Sequence, residues 1–383
     1  MIPINEFENR ISRVRSEMKQ AGMDAILVTD PKNYFYFTGH KVPVWMKSRA
    51  SIFLIPLEGD PVLISWYGPD MFARLYGKKF PSWVEDRRIY YDVPFDDNDY
   101  TDWGIVDLIK EKNLSNSVIG IEQGKESWLG ITYYDYKFIE KELQDVKFVN
   151  SSPQVWACRM IKTEWEIDCL KKACYLGGKA WDSVIAELKV GDSIRDVQEK
   201  ILHYYAQQKV DIDSGVPMVL GATGENNTFK YGDILYLDGG PSYNNYKMDY
   251  TRRAVFGEPS SRQVREHDVM WEILFQLIKE MKPGVKVKDL FEYSQGLLAQ
   301  HPDLVNYSTH PSLRIGHGIG LENEPPSMSG TDSTILMENM VLTPEPKIES
   351  EDGLVNPEEQ VVIRKNEPEI ISNSSDYRLR VIG

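Results

Sequence analysis

The sequence predicts a mixed α/β chain of two domains, an α/β domain over residues 1–157 followed by an α+β domain over residues 158–383. In the first of these, short apolar runs of strand type alternate with helical stretches, which is typical of an α/β domain. The runs lie at 23–29, 52–56, 61–65 and 118–121, with a helical stretch at 102–112. A long amphipathic helix begins with the segment 159–167, and we place the domain boundary just before it.

A weak internal repeat organises the second domain. The segment 189–199 matches the segment 282–292 at glycine, branched apolar, aspartate, apolar and glutamate positions, so that Gly191 corresponds to Gly284. In each copy one helix is predicted before the glycine and another after it. Because a hairpin that carries carboxylates is predicted after each copy, the repeat indicates a pseudo-twofold domain with its functional site between the two halves.

Composition and charge exclude some classes of function. The chain has 383 residues, 42% of them apolar, which allows a full globular core, and its net charge of −14 argues against a nucleic-acid partner. Residues 4–22 lack the apolar stretch of a signal peptide, and no segment approaches the length of a membrane span. The three cysteines, Cys158, Cys169 and Cys174, are more simply reduced core thiols than a disulfide framework or a zinc site. We therefore expect a cytoplasmic protein without a membrane partner.

Four acidic side chains of the second domain lie beside strand-like runs and turns. Asp238 ends an apolar run, a cluster of turn formers follows it, and residues 246–256 are predicted to form a return strand that carries Asp249. Glu345 follows a second apolar run in the same way, and Glu358 opens a strand at 361–363. The sequence thus predicts two hairpins with two carboxylates each.

These carboxylates, together with His317 in a glycine-rich segment between them, predict a metal site. Carboxylates held close together repel each other and raise a pKa, whereas a divalent cation between them removes the penalty. Hard oxygens with one imidazole suit Mn, Fe, Co or Zn better than Mg or Ca. So much charge needs two metal ions, and a dinuclear clamp is a recognised means of making a nucleophile from water at neutral pH. Any one of these side chains alone is usually a solvated charge, so the prediction rests on the joint pattern.

The motifs resemble those of the pita-bread metalloenzymes of family M24, which include methionine aminopeptidase, prolidase, aminopeptidase P and the metal-free creatinase. The resemblance rests on the spacing of the two aspartates and on the segments 249–252, 316–320, 345–346 and 358–363. It implies a creatinase-like N-terminal domain followed by a pseudo-twofold pita-bread catalytic domain. It also implies two divalent metal ions, with Mn favoured over Co, Fe or Zn, and a homodimer.

The resemblance further implies the ligand set, with Glu345 also near the attacking water. The five implied ligands are Asp238, Asp249, His317, Glu345 and Glu358. Glu359 competes for the last place. We prefer Glu358 because the apolar triplet begins three residues later, as it does in the family.

The chain departs from the peptidase members of the family at two histidines. Those members carry one histidine ahead of the first aspartate ligand and another in a His-Glu pair shortly after the segment that corresponds to 316–320. In this chain no histidine stands between His203 and His267, and the segment 321–326 has none either. In the family these histidines help to bind the peptide and handle the proton of the leaving nitrogen, so a replacement is needed for peptide hydrolysis.

Two residues are candidates for that replacement. Glu324 is either a general acid or base that has taken over the histidine's duty, or a carboxylate on the rim of the site. His310 lies seven residues before His317 and is either a proton carrier or a loop histidine without a role.

The shortened loop after Gly320 also resembles that of dimethylsulfoniopropionate lyase, a pita-bread enzyme that eliminates rather than hydrolyses. Where that enzyme has an aspartate as the proton-abstracting base, this chain has Asn323, whose amide cannot serve as a base. The lyase also has an extra aspartate where this chain has Gly240. Asn323 is therefore expected to contact the substrate rather than to take its proton.

The N-terminal segment 33–39 resembles the N-terminal domain of prolidase-type members, in which this domain often covers the active site of the partner subunit. The resemblance makes His40, Trp45 and Arg49 candidates for substrate contact across a dimer. For Trp45 an ordinary packing role is an equal alternative.

Arg252 and Arg253 follow Asp249 on the predicted return strand, so one points to the site side of the strand and the other away from it. We expect one to hold a ligand in place and the other to be a surface charge.

Three classes of function follow. The leading one is a dinuclear-metal hydrolase that acts on a C–N bond of a small molecule, either an Xaa-Pro peptide or an amino-acid derivative, with Glu345 accepting the proton of the attacking water. The second is a lyase that uses the same site for elimination, which Asn323 opposes. The third is a non-enzymatic binding module, but relatives of that kind lose ligands and this chain keeps all five positions.

Overall fold

The chain folds into two compact units, Met1–Arg159 and Met160–Gly383. The computed structural model describes residues 2–42, 49–79, 82–91, 100–211, 214–307 and 309–383. Among the helices of these residues, none has the length and apolar content that crossing a bilayer requires.

The N-terminal unit alternates helices with strands. Its elements in chain order are α1 (Ile4–Ala21), β1 (Ala25–Val28), α2 (Pro31–Thr38), β2 (Ile52–Pro56), β3 (Val62–Trp66), α3 (Gly68–Leu75), β4 (Asp86–Tyr90), α4 (Ile105–Glu111), β5 (Val118–Ile121), α5 (Tyr133–Glu142), β6 (Lys147–Asn150) and α6 (Ser152–Met160). In the described part of this unit, six strands form one sheet in the order β4-β3-β2-β1-β5-β6.

This sheet is mixed. Strands β1, β2 and β3 are antiparallel neighbours, while β1 pairs with β5, β5 with β6 and β3 with β4 in parallel. The strands β1 and β2 are buried along their whole length, as their continuous apolar sequence predicts. The predicted strand positions and the predicted helix near 102–112 are therefore confirmed as β1, β2, β3, β5 and α4.

The C-terminal unit contains long helices and short strands. Its helices are α7 (Glu164–Glu187), α8 (Ile194–Gln208), α9 (Ser261–Glu280) and α10 (Val287–Leu298). Its strands are β7 (Met218–Leu220), β8 (Ile234–Asp238), β9 (Ser242–Tyr243), β10 (Tyr246–Lys247), β11 (Thr251–Phe256), β12 (Val305–Asn306), β13 (Gly316–Ile319), β14 (Asn323–Ser327), β15 (Val341–Pro344), β16 (Ile348–Ser350), β17 (Gly353–Val355), β18 (Val361–Val362), β19 (Glu369–Ile370) and β20 (Arg380–Ile382).

The predicted repeat appears as two helix–glycine–helix junctions with the same backbone contacts. Gly191 between α7 and α8 has φ of 95°, and Gly284 between α9 and α10 has φ of 93°. The N–H of Gly191 donates to Phe229 O at 2.9 Å, and the N–H of Gly284 donates to Leu336 O at 2.8 Å. Each junction thus attaches to the segment that leads into the carboxylate-bearing strands of its own half.

Each half then contributes one sheet. Strands β20-β11-β8-β7 form the sheet of the first half, and β14-β13-β15-β18-β19 form that of the second half, both within the described residues. Apolar side chains of α9 and α10, among them Leu274, Leu277 and Leu290, pack in one core with Leu342 and Val361 of the second sheet. This packing fixes the strand ends from which the candidate site is built.

Both predicted hairpins exist, but each contains a smaller hairpin. Strands β8 and β11 are antiparallel, with Asp238 opposite Thr251, and the pair β9–β10 lies between them. Strands β15 and β18 are antiparallel, and the pair β16–β17 lies between them. The return strand of the first hairpin therefore begins at Thr251 rather than at residue 246, and Asp249 lies just before it.

Candidate metal centre

The end of the first hairpin positions two aspartates. Asp238 is the last residue of β8, and its Oδ2 accepts a hydrogen bond from the hydroxyl of Tyr236 at 2.8 Å. Asp249 is held by its backbone, because its N–H donates to Oε1 of Gln360 at 3.0 Å. Gln360 also donates from Nε2 to Lys247 O at 3.2 Å, so a residue of the second half fixes the turn that carries Asp249.

His317 lies on β13, and one of its two ring nitrogens can coordinate a metal ion. Its Nδ1 donates to Gly318 O at 2.9 Å, which leaves the lone pair on Nε2. Nε2 lies 3.5 Å from Asp249 Oδ2 and 3.3 Å from both Asn323 Nδ2 and Thr343 Oγ1. Glycine is required beside it, since a Cβ on Gly318 would lie 2.2 Å from Pro325 O.

Glu345 and Glu358 come from the second hairpin. The backbone N–H of Glu345 donates to Ile315 O at 2.8 Å, which fixes the residue beside β13. Its Oε2 accepts from Lys347 Nζ at 2.9 Å and from Asn356 Nδ2 at 3.4 Å. Glu358 is 1% exposed, and its Oε2 has no hydrogen-bond partner among the described residues.

Three of these side chains form a compact donor set. One ligand atom from each of Asp249, His317 and Glu358 can be chosen so that the three atoms lie within 4.8 Å of one another. Asp238 and Glu345 belong to the same cluster, because their charges raise the pKa values of Asp249 and Glu358. The structure therefore brings together all five residues that the sequence pointed to.

Burial and mutual repulsion shift the ionisation of the cluster. Burial and then the charges of Asp238 and Glu345 raise the pKa of Asp249 to about 7. Burial and then the charges of Asp249, Glu345 and Asp238 raise the pKa of Glu358 well above its ordinary value. Burial raises the pKa of Asp238, and the hydrogen bond from Tyr236 acts against that rise. Burial lowers the pKa of His317 to about 4, which keeps the imidazole neutral at pH 7.

These features fit a divalent cation pair. Four carboxylates in one cluster, two of them buried and two half-buried, are unfavourable without positive charge between them, and Glu358 Oε2 is a buried acceptor that still needs a partner. The donor set is oxygen-rich with one neutral imidazole, which matches the preference of first-row transition metals.

Comparison with known proteins agrees with this geometry. The model of metallopeptidase family M24 matches residues 168–365, which is more than half of the chain. The chain belongs to metallopeptidase family M24. The model of the creatinase/prolidase N-terminal domain matches residues 10–161. The chain is thus a hydrolase of a family that uses divalent metal ions, and the predicted fold class is confirmed.

Individual relatives align along the whole chain. A Xaa-Pro dipeptidase of Pyrococcus horikoshii is 26% identical over 371 residues, which cover 93% of this chain and 95% of that protein. One of Pyrococcus furiosus is 26% identical over 369 residues, which cover 94% and 96%. Among solved structures, a prolidase from Thermococcus sibiricus has a TM-score of 0.80 at 22% identity and covers 98% of this chain and 99% of that one.

Within the M24 domain, Glu359 is directed away from the cluster. Its Oε1 lies 3.0 Å from Nη2 of Arg252, which is 1% exposed, and its other oxygen accepts from the hydroxyl of Ser372. Burial raises the pKa of Glu359, and Arg252 acts against that rise. The geometry thus favours Glu358 over Glu359 as the donor in the cluster.

Of the two arginines of β11, one follows its prediction and the other does not. Arg252 contacts Glu359, as expected for a residue that holds the strand carrying Glu358. Arg253 is not a surface charge, because it is only 4% exposed. Arg253 of β11 is paired with Tyr236 of β8, so the two side chains lie on the same face of the sheet, and both are buried. Burial accordingly lowers the pKa of Arg253 to about 10.

The structure separates Glu324 from the donor cluster. Its Oε2 lies 2.8 Å from Lys162 Nζ, and both side chains are almost completely buried. Its Oε1 accepts from the N–H of Leu321 at 3.2 Å. Glu324 follows Asn323 on β14, so the two side chains point to opposite faces, and it is Asn323 that contacts His317. This placement does not favour Glu324 as the general acid or base.

Of the remaining candidates, His310 belongs to the C-terminal unit and is not part of the compact donor set. His310 is exposed in a turn, where its Nδ1 accepts from the N–H of Ser312 at 3.1 Å. In the N-terminal unit, burial lowers the pKa of His40 to about 4, and the guanidinium of Arg49 lies 5.5 Å from the ring of Trp66. Trp45 falls outside the described residues.

Sequence reasoning missed the polar neighbours of the ligands. Lys347 and Asn356 contact Glu345, and Thr343 contacts His317. Lys347 could have been found, since it stands two residues after Glu345 and therefore extends to the same side of an extended chain. The role of Gln360 could not have been predicted from the sequence, because Gln360 and Asp249 are 111 positions apart.

Proposed function

We propose that this chain is a dinuclear-metal hydrolase that cleaves the Xaa-Pro bond of short peptides. The observation that carries the proposal is the single cluster of four carboxylates and one neutral imidazole built from both hairpins. The Xaa-Pro dipeptidases of the two Pyrococcus species, which align with more than nine-tenths of this chain, support the choice of bond.

We propose Asp238, Asp249, His317, Glu345 and Glu358 as the residues that hold the ions. Manganese is the favoured metal among Mn, Co, Fe and Zn, because oxygen donors predominate in the cluster. When bound, the ions would supply electrostatic activation of water and of the scissile carbonyl.

The residues of the chain supply the remaining steps. Glu345 accepts the proton of the attacking water, and its orientation is fixed by Lys347 and Asn356. His317 stays neutral because it is buried, and its bond to Gly318 O holds Nε2 toward the cluster. Asn323 lies at the exposed side of His317 and offers an amide to the bound peptide.

The proposal also covers the cellular compartment, the oligomeric state and the domain boundary. The buried residues Cys158, Cys169 and Cys174 form no disulfide, which supports a reducing compartment that we take to be the cytoplasm. A homodimer and contacts of His40, Trp45 and Arg49 with the substrate rest on the resemblance to prolidase-type members. The domain boundary before residue 158 is supported by the compact unit that ends at Arg159.

Elimination by a lyase mechanism is not favoured. The residue beside His317 at the place of the lyase base is Asn323, whose Nδ2 lies 3.3 Å from Nε2 of the imidazole. An amide cannot take a proton from carbon, and the carboxylate of the next residue, Glu324, is paired with Lys162 instead.

The test is turnover of a panel of Xaa-Pro dipeptides and tripeptides by Mn-loaded protein, with metal content measured on the same sample. We expect about two ions per chain and release of the free amino acid. Glu345→Gln should lower kcat by roughly 10²- to 10⁴-fold, as expected when a general base is removed. Glu349→Gln is the matched control, because Glu349 is exposed on β16 four residues away. A fully loaded protein that cleaves no member of the panel would refute the proposal.

A further inference from the structure

Asp249 lies between two strands rather than within one. Strand β10 ends at Lys247 and β11 begins at Thr251, so the backbone around Asp249 needs partners from other segments. One such partner is Gly320, whose O accepts from the N–H of Lys247 at 2.8 Å. The position of Asp249 therefore depends on contacts outside its own hairpin.

The amide of Gln360 supplies two further partners. Its Oε1 accepts from the N–H of Asp249 at 3.0 Å, and its Nε2 donates to Lys247 O at 3.2 Å. Its Oε1 also accepts from the thiol of Cys174 on α7 at 3.1 Å, which uses the second lone pair of that oxygen. Because the side chain is completely buried and bonded at both ends of the amide, its orientation is fixed.

These partners require an amide. The N–H of Asp249 needs an acceptor and Lys247 O needs a donor, and the amide of Gln360 offers both. An ionised carboxylate in its place would offer acceptors only, and a thioether would offer at most a weak acceptor. Either change would therefore leave at least one of the two backbone groups without its present partner.

Gln360 also belongs to the segment that carries Glu358. It follows Glu358 by two residues, and its own N–H donates to Ser372 Oγ at 2.7 Å, which fixes its backbone. A ligand atom of Asp249 and one of Glu358 lie within 4.8 Å of each other. One side chain thus ties the turn that carries the first of these carboxylates to the segment that carries the second.

We propose that Gln360 is a positioning residue of the metal centre, which sets the separation of Asp249 and Glu358 through its hydrogen bonds to the backbone around Asp249. The inference rests on the proposed function for the presence of the ions. The two carboxylates come from hairpins in different halves of the domain, so their separation depends on a connection between the halves. The amide supplies that connection without adding a charge to the cluster.

The test removes the amide and measures metal binding. Gln360→Met keeps an unbranched side chain of similar length and removes both bonds to the turn. Isothermal titration of the metal-free variant with Mn²⁺ should give an affinity lower by about 10- to 100-fold, the usual effect of losing a partner that orients a ligand. The electron paramagnetic resonance spectrum of the Mn-loaded variant should also change, because the coupling between two ions depends on their separation. For an Xaa-Pro dipeptide, kcat should fall while KM stays the same.

Gln263→Met is the matched control. Gln263 is a second buried glutamine that accepts from one backbone N–H, that of Ser260 at 2.9 Å, and donates to one backbone carbonyl, that of Gly232 at 3.0 Å. Neither backbone partner neighbours a proposed ligand in the sequence. The control should therefore lose stability and keep the Mn²⁺ affinity and the resonance spectrum of the wild-type protein.

A conservative variant and a measurement on the metal-free protein complete the test. Gln360→Asn keeps the amide on a side chain that is one methylene shorter, so its Mn²⁺ affinity should lie between those of the wild-type protein and Gln360→Met. Amide hydrogen exchange of the segment 246–250 should be slow in the wild-type protein and faster in Gln360→Met. This exchange reports on the turn without metal and without turnover.

Two outcomes would overturn the inference. One is a wild-type Mn²⁺ affinity and resonance spectrum in Gln360→Met or, if that variant does not fold, in Gln360→Asn. The other is an equal loss of affinity in Gln263→Met, which would trace the loss to stability alone. If the wild-type protein binds no metal, the proposed function fails, and hydrogen exchange still decides whether Gln360 holds the turn that carries Asp249.

Discussion

Glu358 and Glu359 are adjacent carboxylates with opposite expected roles, and exchanging each for glutamine separates them. Glu359 forms a buried ion pair with Arg252 at 3.0 Å. Its replacement leaves the guanidinium without a counter-charge, which typically costs about 3 to 5 kcal/mol of stability, and the amide oxygen of glutamine retains part of the hydrogen bonding. We therefore expect Glu359→Gln to destabilise the metal-free protein by about 3 kcal/mol.

Glu358→Gln should act in the other direction. Burial and the charges of Asp249, Glu345 and Asp238 raise the pKa of Glu358, so its ionised form is unfavourable in the metal-free protein. A neutral amide of the same shape removes that repulsion. We therefore expect the metal-free variant to be more stable than the wild-type protein at pH 7. It should also bind fewer metal ions, because the donor is lost.

The assay is calorimetry of chelator-treated protein, followed by metal analysis after reloading with Mn. For a unit of this size 1 kcal/mol changes Tm by roughly 2 to 4 °C, so Glu359→Gln should lower the transition of the catalytic unit by about 6 to 12 °C. That variant should still bind two ions. The reasoning is refuted if Glu359→Gln loses metal while Glu358→Gln keeps it, or if both variants lower Tm by the same amount.

Three further predictions concern stability. The pKa of Asp249 is raised from 3.8 to about 7, so its contribution to the stability of the metal-free protein should be complete below about pH 4 and fall by on the order of 4 kcal/mol by pH 8. Tm measured across that range for the wild-type protein and for Asp249→Asn isolates this contribution, and identical profiles would contradict the burial of its charge. Gly191→Ala and Gly284→Ala should each cost about 1 to 2 kcal/mol in denaturant titrations, because both have positive φ and open space at Cβ; a neutral effect at either would contradict the equivalence of the two junctions. Lys162→Met should cost about 3 to 5 kcal/mol by the same method, since it removes the ammonium group that forms a buried ion pair with the Glu324 carboxylate, and full stability would mean that the pair is not formed.

The sequence was sufficient to predict two carboxylates on each of two hairpins, because the rules that govern hairpins are local. The set of five residues that joins the two hairpins came from the resemblance to family M24, and the return strand begins opposite Asp238 at Thr251 rather than at residue 246. The repeat was visible for the same reason, since Gly191 and Gly284 each need a positive φ at one fixed place between two helices.

The inner hairpins were missed although one had a local signal. Asn244 and Asn245 have φ of 51° and 68° and connect β9 to β10, and two consecutive asparagines are a recognised signature of a tight two-residue hairpin. The prediction instead treated 239–245 as one long turn. Recognising that signature would have placed the start of the return strand at Thr251.

The burial of Arg253 and the ion pair of Glu324 could not have been predicted from local sequence. Alternation gives the face of the sheet on which Arg253 lies, but it does not say whether another element covers that face. The same holds for Glu324, whose partner Lys162 is 162 positions away. Partners at such separation are chosen by tertiary packing, which no single segment encodes.

The peptidase members have two histidines that this chain lacks. The groups around Glu345 indicate which functions of those histidines can be replaced here. An imidazole titrates near neutral pH and can transfer a proton, whereas a guanidinium cannot be deprotonated in proteins. The charged groups that approach Glu345 here are Lys347 and Arg314, and neither Glu324 nor His310 lies with them. Arg314 therefore acts through fixed charge and cannot replace an imidazole in proton transfer. Under the proposed function, transfer of the proton is left to Glu345.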